Sequence, residues 1–137
     1  MTLLAIIAAT AALQGGWTWT LYEGEGPLVL ANEVPDTAQL RTTFQCAPGS
    51  GVARVDLYGG PGGSGFATLT SGGASATAET TRVSDRQSVV LRTDHPVFGA
   101  FMVTGTLDVA VGERHQTVEV PATHRGRLRR FAELCAG

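Results

Sequence analysis

The sequence contains no lysine, and all ten of its basic residues are arginines. This absence excludes Schiff-base catalysis and a Walker A phosphate loop, since both depend on a lysine amine. Two cysteines are too few for a Cys-only zinc site or an iron–sulfur cluster. Charged residues make up only 16% of the chain and the net charge is −2. The basic surface that a dedicated nucleic-acid-binding protein needs is therefore missing.

The residues that are present indicate one small domain rich in turns. A chain of 137 residues suits a single domain, because two domains of half that length would each bury a poor core. Hydrophobic residues form 43% of the chain, which is enough for a folded core. The 18 glycines favour turns and short strands over long helices.

The N-terminal segment has the features of an export signal. Residues 3–13 read LLAIIAATAAL, and a helix of that length covers about 16 Å, too short to span a bilayer. The run and the small residues of Ala9-Thr10-Ala11 predict a secretory signal peptide over residues 1–14, although no basic residue precedes it. A buried N-terminal helix is the alternative. We expect a mature domain over residues 17–137, a periplasmic or secreted location and no integral membrane span.

Export changes the interpretation of the two cysteines. In an oxidising compartment Cys46 and Cys135 are expected to form a structural disulfide. A redox-active pair usually has the close spacing C-x-x-C, which is absent.

Short alternating segments with turn signals every eight to twelve residues predict a mainly β fold. We expect a single antiparallel β-sandwich or partly open barrel of about seven to nine short strands with one C-terminal α-helix. Residues 72–80 offer little apolar surface and are expected to form an exposed edge strand or a mobile loop. The predicted strands cover residues 17–22, 27–31, 40–46, 52–58, 66–70, 87–93, 101–103, 106–111 and 117–120.

The C-terminal segment has helical rather than strand periodicity. Pro121 suits the first turn of a helix, and apolar residues then recur at positions i, i+3, i+4 and i+7. We predict a closing helix over residues 121–135, joined to the third strand by the Cys46–Cys135 disulfide. The residues of its apolar stripe are Leu128, Phe131, Ala132 and Cys135.

Local motifs predict no catalytic, cofactor-binding or metal-binding residues. Gly60-x-Gly62-x-x-Gly65 matches the dinucleotide fingerprint, but the next residues are strand-like where a helix N-terminus is required. His115 and Glu119 share a strand face about 13 Å apart, too far to bind one metal. His124 is expected to be a hydrogen-bonded packing residue. Asp94-His95-Pro96 is interpreted as a turn, with an acid–base role as the alternative.

Two further groups of residues have a structural and a functional interpretation. Trp17 and Trp19 share a strand face, which is typical of a core but also of an aromatic platform for a sugar or base. Arg125, Arg127, Arg129 and Arg130 fall on the closing helix. They are expected to be solvated, with a docking face for an acidic protein or lipid headgroup as the alternative.

The spacing of the C-terminal third resembles a known family. It reads Phe98-x-x-Phe101-x-x-x-Gly105-x-Leu107-x-Val109, then Val118-x-Val120, then Leu128-x-x-Phe131-x-x-x-Cys135. This ending is similar to that of small exported β-sandwich proteins related to invasion-associated protein B, in which an upstream strand, here Phe44-Gln45-Cys46, supplies the other cysteine. The resemblance covers about half of the chain.

The resemblance implies a non-enzymatic binding or accessory protein of the cell envelope, whose partner is another envelope protein and which has no cofactor. A weaker similarity to C-type lysozyme inhibitors rests on Ser71-Gly72-Gly73-Ala74-Ser75-Ala76. It implies an inhibitor of a wall-degrading enzyme as the alternative, which a protruding loop at residues 71–76 would favour.

Overall fold

A single curled antiparallel sheet forms a half-barrel in the computed structural model, which describes residues 16–60 and 62–137. The predicted mainly β class is confirmed, and the architecture is the partly open barrel rather than the two-layer sandwich. The strands are β1 (Thr18–Tyr22), β2 (Leu28–Glu33), β3 (Leu40–Cys46), β4 (Val52–Tyr58), β5 (Gly65–Ser71), β6 (Ala74–Val83), β7 (Arg86–Arg92), β8 (Thr106–Val111) and β9 (Arg114–Glu119).

The spatial order of the strands is β1-β2-β3-β4-β7-β6-β5-β8-β9. Most neighbours in the sheet are also neighbours in sequence, so short hairpins make most of the connections. β1 and β9 form the two edges of the sheet.

Alternation along each strand decides which residues fill the barrel. In β3 the side chains of Phe44 and Cys46 point inward and are buried, whereas Gln45 between them is only half-buried. This alternation follows from the pleat, which points successive side chains of any strand to opposite faces of the sheet.

Two α-helices cover the concave face of the sheet. The helix α1 (Pro96–Thr104) packs on β5 and β6, and α2 (Arg125–Ala136), which follows a 3₁₀ turn at Ala122–His124, packs on β1 and β2. The predicted stripe of α2 is buried along its whole length. The core centres on Phe44, whose ring centroid lies 5.6–6.5 Å from the rings of Trp19, Phe98, Phe101 and Phe131.

The predicted disulfide is confirmed. Cys46, the last residue of β3, bonds to Cys135 in the last turn of α2, and their Cα atoms are 5.7 Å apart. Two backbone hydrogen bonds hold the same helix end, from Gly49 N–H to Leu134 O (3.1 Å) and from Gly51 N–H to Cys135 O (2.8 Å).

The predicted strand at residues 101–103 is wrong, because this segment belongs to α1. His95 caps the helix, since its Nδ1 accepts a hydrogen bond from Val97 N–H (3.1 Å), and Pro96 occupies the first turn. Gly105 ends the helix with φ of 75°, where a Cβ would collide with Val120 O.

The expectation of an edge strand or loop at residues 72–80 is also wrong. β6 spans ten residues and pairs with β5 on one side and β7 on the other. Ala74, Ala76 and Ala78 pack against the core, while the residues between them are exposed. Small side chains suffice here because α1 packs directly over this part of the sheet.

The predicted signal peptide at residues 1–14 lies outside the described residues. Within residues 16–60 and 62–137, no helix is long and apolar enough to cross a membrane.

Candidate functional site

The two edges of the sheet approach each other without pairing. A side chain bridges them, because Trp19 Nε1 on β1 donates a hydrogen bond to Glu119 O on β9 (2.9 Å). Arg127 Nη1 on α2 donates to Trp19 O (2.7 Å), so the helix covers part of the β1 edge. Trp19 is 3% exposed, as expected for a core tryptophan whose indole N–H is satisfied at the rim.

A cleft of about 510 Å³ opens at this unpaired boundary, and we call it the seam cleft. Its size falls within the range of small-molecule sites. The lining combines aromatic, amide, hydroxyl and ionisable side chains from both edges of the sheet: Trp17, Thr18, Trp19, Asn32, Arg41, Thr42, Gln116, Thr117, Val118, Glu119, Pro121 and His124.

One wall of the seam cleft is a stacked pair. The Arg41 guanidinium carbon lies 3.9 Å from the centroid of the Trp17 ring, in cation–π geometry. Trp17 is only half-buried, so the predicted pair of core tryptophans divides into one core residue and one cleft residue. The stack fixes Trp17 beside the opening.

Much of the remaining cleft lining is polar. Asn32 and Thr42 occupy opposed positions on β2 and β3, and Gln116 lies on β9. His124 also lines the cleft, and its buried Nδ1 has no hydrogen-bond partner among the described residues, contrary to the expected hydrogen-bonded histidine. Burial first, and the positive charge of Arg127 second, lower the pKa of His124. The ring is therefore held neutral near pH 7.

On the cleft side of β9 lie backbone hydrogen-bonding groups that pair with no other described strand. Val120 N–H donates to Gly105 O, so these two residues face each other as a hydrogen-bonded pair. Bonded and non-bonded pairs alternate along the antiparallel strands β8 and β9. By that alternation the peptide groups of His115, Thr117 and Glu119 point away from β8, and the bond from Trp19 to Glu119 O agrees. The N–H and C=O of Thr117 are thus directed into the seam.

A second polar cluster lies on the outer face of the sheet and is closed. Asp56 is 1% exposed, accepts a hydrogen bond from Ser88 Oγ (2.6 Å) and lies 3.3 Å from Arg54 Nη2. Neighbouring side chains fill this cluster, so it stabilises strand pairing rather than forming an opening.

The arginines of the closing helix are mostly engaged in the fold. Arg125 donates to Val120 O and Val103 O, Arg127 to Trp19 O, and Arg130 forms a two-bond ion pair with Glu23 at 3.0 Å. Three of the four side chains are therefore held by the fold, and the charge of Arg130 is paired with a carboxylate, which weakens the docking-face interpretation.

The remaining motifs are separate from the cleft. The glycine fingerprint leads into strand β5, where no helix N-terminus can hold a phosphate. Asp94-His95-Pro96 forms the start of α1, and Asp94 pairs with Arg92. His115 pairs with Asp108 at 2.9 Å on the outer face. Ser71 is buried, and Gly72-Gly73 make a two-residue turn to Ala74, so no loop protrudes there.

Comparison with protein families, curated proteins and solved structures finds no match to this chain. In the part of the chain that the structure describes, no three His, Cys, Asp or Glu residues converge as a metal site would require.

Sequence reasoning singled out Trp17 and Trp19 but missed Asn32, Arg41 and Gln116. These residues come from three strands, and no spacing in the sequence relates them. They meet because the sheet curls until β9 approaches β1.

Proposed function

We propose that this chain is an exported, non-enzymatic binding protein, periplasmic or secreted, that holds an envelope protein partner in the seam cleft. The observation that carries the proposal is the cleft itself, in which an unpaired strand edge lies beside half-buried amides and a fixed aromatic ring. Amide and hydroxyl groups that are already positioned bind a ligand with little loss of entropy.

The disulfide supports the exported location. Cysteine pairs of this kind persist in oxidising compartments and are rare in the cytosol of most organisms. The apolar run at residues 3–13 supplies the corresponding signal in the sequence. The resemblance to proteins related to invasion-associated protein B agrees with an accessory role in the envelope. A protruding loop at residues 71–76 would favour the inhibitor alternative, and residues 72–73 form a tight turn there.

Site-specific photo-cross-linking in the producing cell tests the proposal. A photoreactive phenylalanine analogue replaces Thr117, which is exposed and lines the cleft, or in the control Val90, which is exposed on the outer face of β7. We expect one defined adduct from position 117 in the envelope or secreted fraction and none from position 90. Identical adducts at both positions, or none at 117, would overturn the cleft as the binding site. Recovery of the protein in the cytoplasm alone would overturn export.

A further inference from the structure

We infer that the partner enters the seam cleft as an extended polypeptide strand and pairs antiparallel with β9. This inference rests on the proposed function, because it takes the cleft as the binding site. It specifies the chemistry that the cleft recognises, which is a peptide backbone rather than a sugar or another small molecule.

The direction of the strands is the first argument. Every neighbouring pair in the nine-stranded sheet is antiparallel, so β1 and β9, at its two ends, run in the same direction. These edges cannot pair with each other in the antiparallel manner of the rest of the sheet. One additional strand of opposite direction is antiparallel to both of them.

The unfilled space beside β9 is the second argument. β1 and β9 do not pair, and a cleft of about 510 Å³ lies at their boundary. The bond from Trp19 to Glu119 O occupies part of this boundary, so the strand is expected to meet β9 at Thr117.

The third argument is the set of groups that a strand would meet. The N–H and C=O of Thr117 point into the seam, and addition of a peptide strand satisfies such groups through main-chain hydrogen bonds. Alternate side chains of the strand would face Asn32, Thr42 and Gln116. Because these are amides and a hydroxyl, the inward side chains of the partner are expected to be neutral and polar.

The test uses short randomised peptides of strand length, selected by display on the full chain. Each selected peptide is measured against Thr117→Pro, which removes the N–H directed into the seam, and against Thr117→Ala, which keeps it. Proline is tolerated on an edge strand where the N–H faces outward, so the fold should survive. We expect Thr117→Pro to bind at least about tenfold more weakly than Thr117→Ala, because a main-chain hydrogen bond is lost.

A scan of N-methylated peptides supplies a second readout that does not depend on folding of the proline variant. Strand pairing predicts that N-methylation weakens binding at every second position of the peptide, because alternate N–H groups face β9. Equal binding to both Thr117 variants when both are folded, no two-residue period, or no selected peptide would each overturn the strand. Any of these results combined with a defined envelope-protein adduct from position 117 would overturn the strand while leaving the proposed function intact.

Discussion

Opening the Cys46–Cys135 disulfide should cost several kcal/mol of stability, mainly through the unfolded chain. The bond closes a loop of 89 residues, for which the chain-entropy relation gives about 4.6 kcal/mol at 25 °C. The folded state should change little on reduction. Leu128 and Phe131 remain buried, and the hydrogen bonds from Gly49 and Gly51 still hold the end of α2.

Urea unfolding of three forms measures the size of the effect: oxidised protein, reduced protein and the C46A/C135A variant. We expect the free energy of unfolding to fall by about 4–5 kcal/mol on reduction. The dependence of this free energy on urea should steepen, since the unfolded chain expands once the loop is open. The alanine variant should lose roughly 1–2 kcal/mol more, because two buried sulfur atoms are removed from the core.

A loss below about 1 kcal/mol on reduction would refute the loop-closure reasoning, since the unfolded chain would then gain little freedom. Loss of the helical circular dichroism signal ahead of the sheet signal would refute the expectation that packing and the hydrogen bonds from Gly49 and Gly51 keep α2 in place after reduction.

Two more perturbations have defined outcomes. Phe44→Ala should lower the free energy of unfolding in urea by about 3–5 kcal/mol. Phe66→Ala, at a position 65% exposed, should stay within about 0.5 kcal/mol of wild type. Similar losses in both variants would contradict the conclusion that the core centres on Phe44. Burial lowers the pKa of His124 in the folded protein, so the unfolded chain binds more protons than the folded chain at mildly acidic pH. The free energy of unfolding should therefore be highest above the ordinary histidine pKa of about 6.5 and should decline as the pH falls through the lower pKa of the folded state. His124→Gln should flatten that decline between about pH 7 and pH 5, and parallel profiles for the variant and wild type would show that His124 does not cause it.

Strand positions were predictable wherever large apolar residues alternate with polar ones. The bounds of β3, β4 and β8 agree with the prediction, because Phe44, Val55 and Leu107 each lie in an unambiguous alternating pattern. β6 has the same alternation, but its inward residues are alanines, which carry little hydrophobic signal. The close packing of α1 limits the size of these side chains. Because this is a tertiary contact, it leaves no signal in the local sequence.

The helix α1 was missed for the opposite reason. Its sequence, PVFGAFMVT, is apolar on nearly every side and rich in residues that favour strands. Val97, Phe98 and Phe101 are all buried, so no polar face marks a helical period. The candidate site was less predictable still, because Asn32, Arg41 and Gln116 meet only through the curl of the sheet.

The position of the tryptophans makes the intrinsic fluorescence of the protein a probe of the seam cleft. The chain contains two tryptophans, Trp17 and Trp19, and both line that cleft. Trp19 is buried with its indole N–H bonded to Glu119 O, whereas Trp17 is partly solvated and in contact with the Arg41 guanidinium. The intrinsic emission of the native protein therefore combines a blue-shifted and a red-shifted component, and both originate at the same site. Occupancy of the cleft can be followed by fluorescence without attaching a dye.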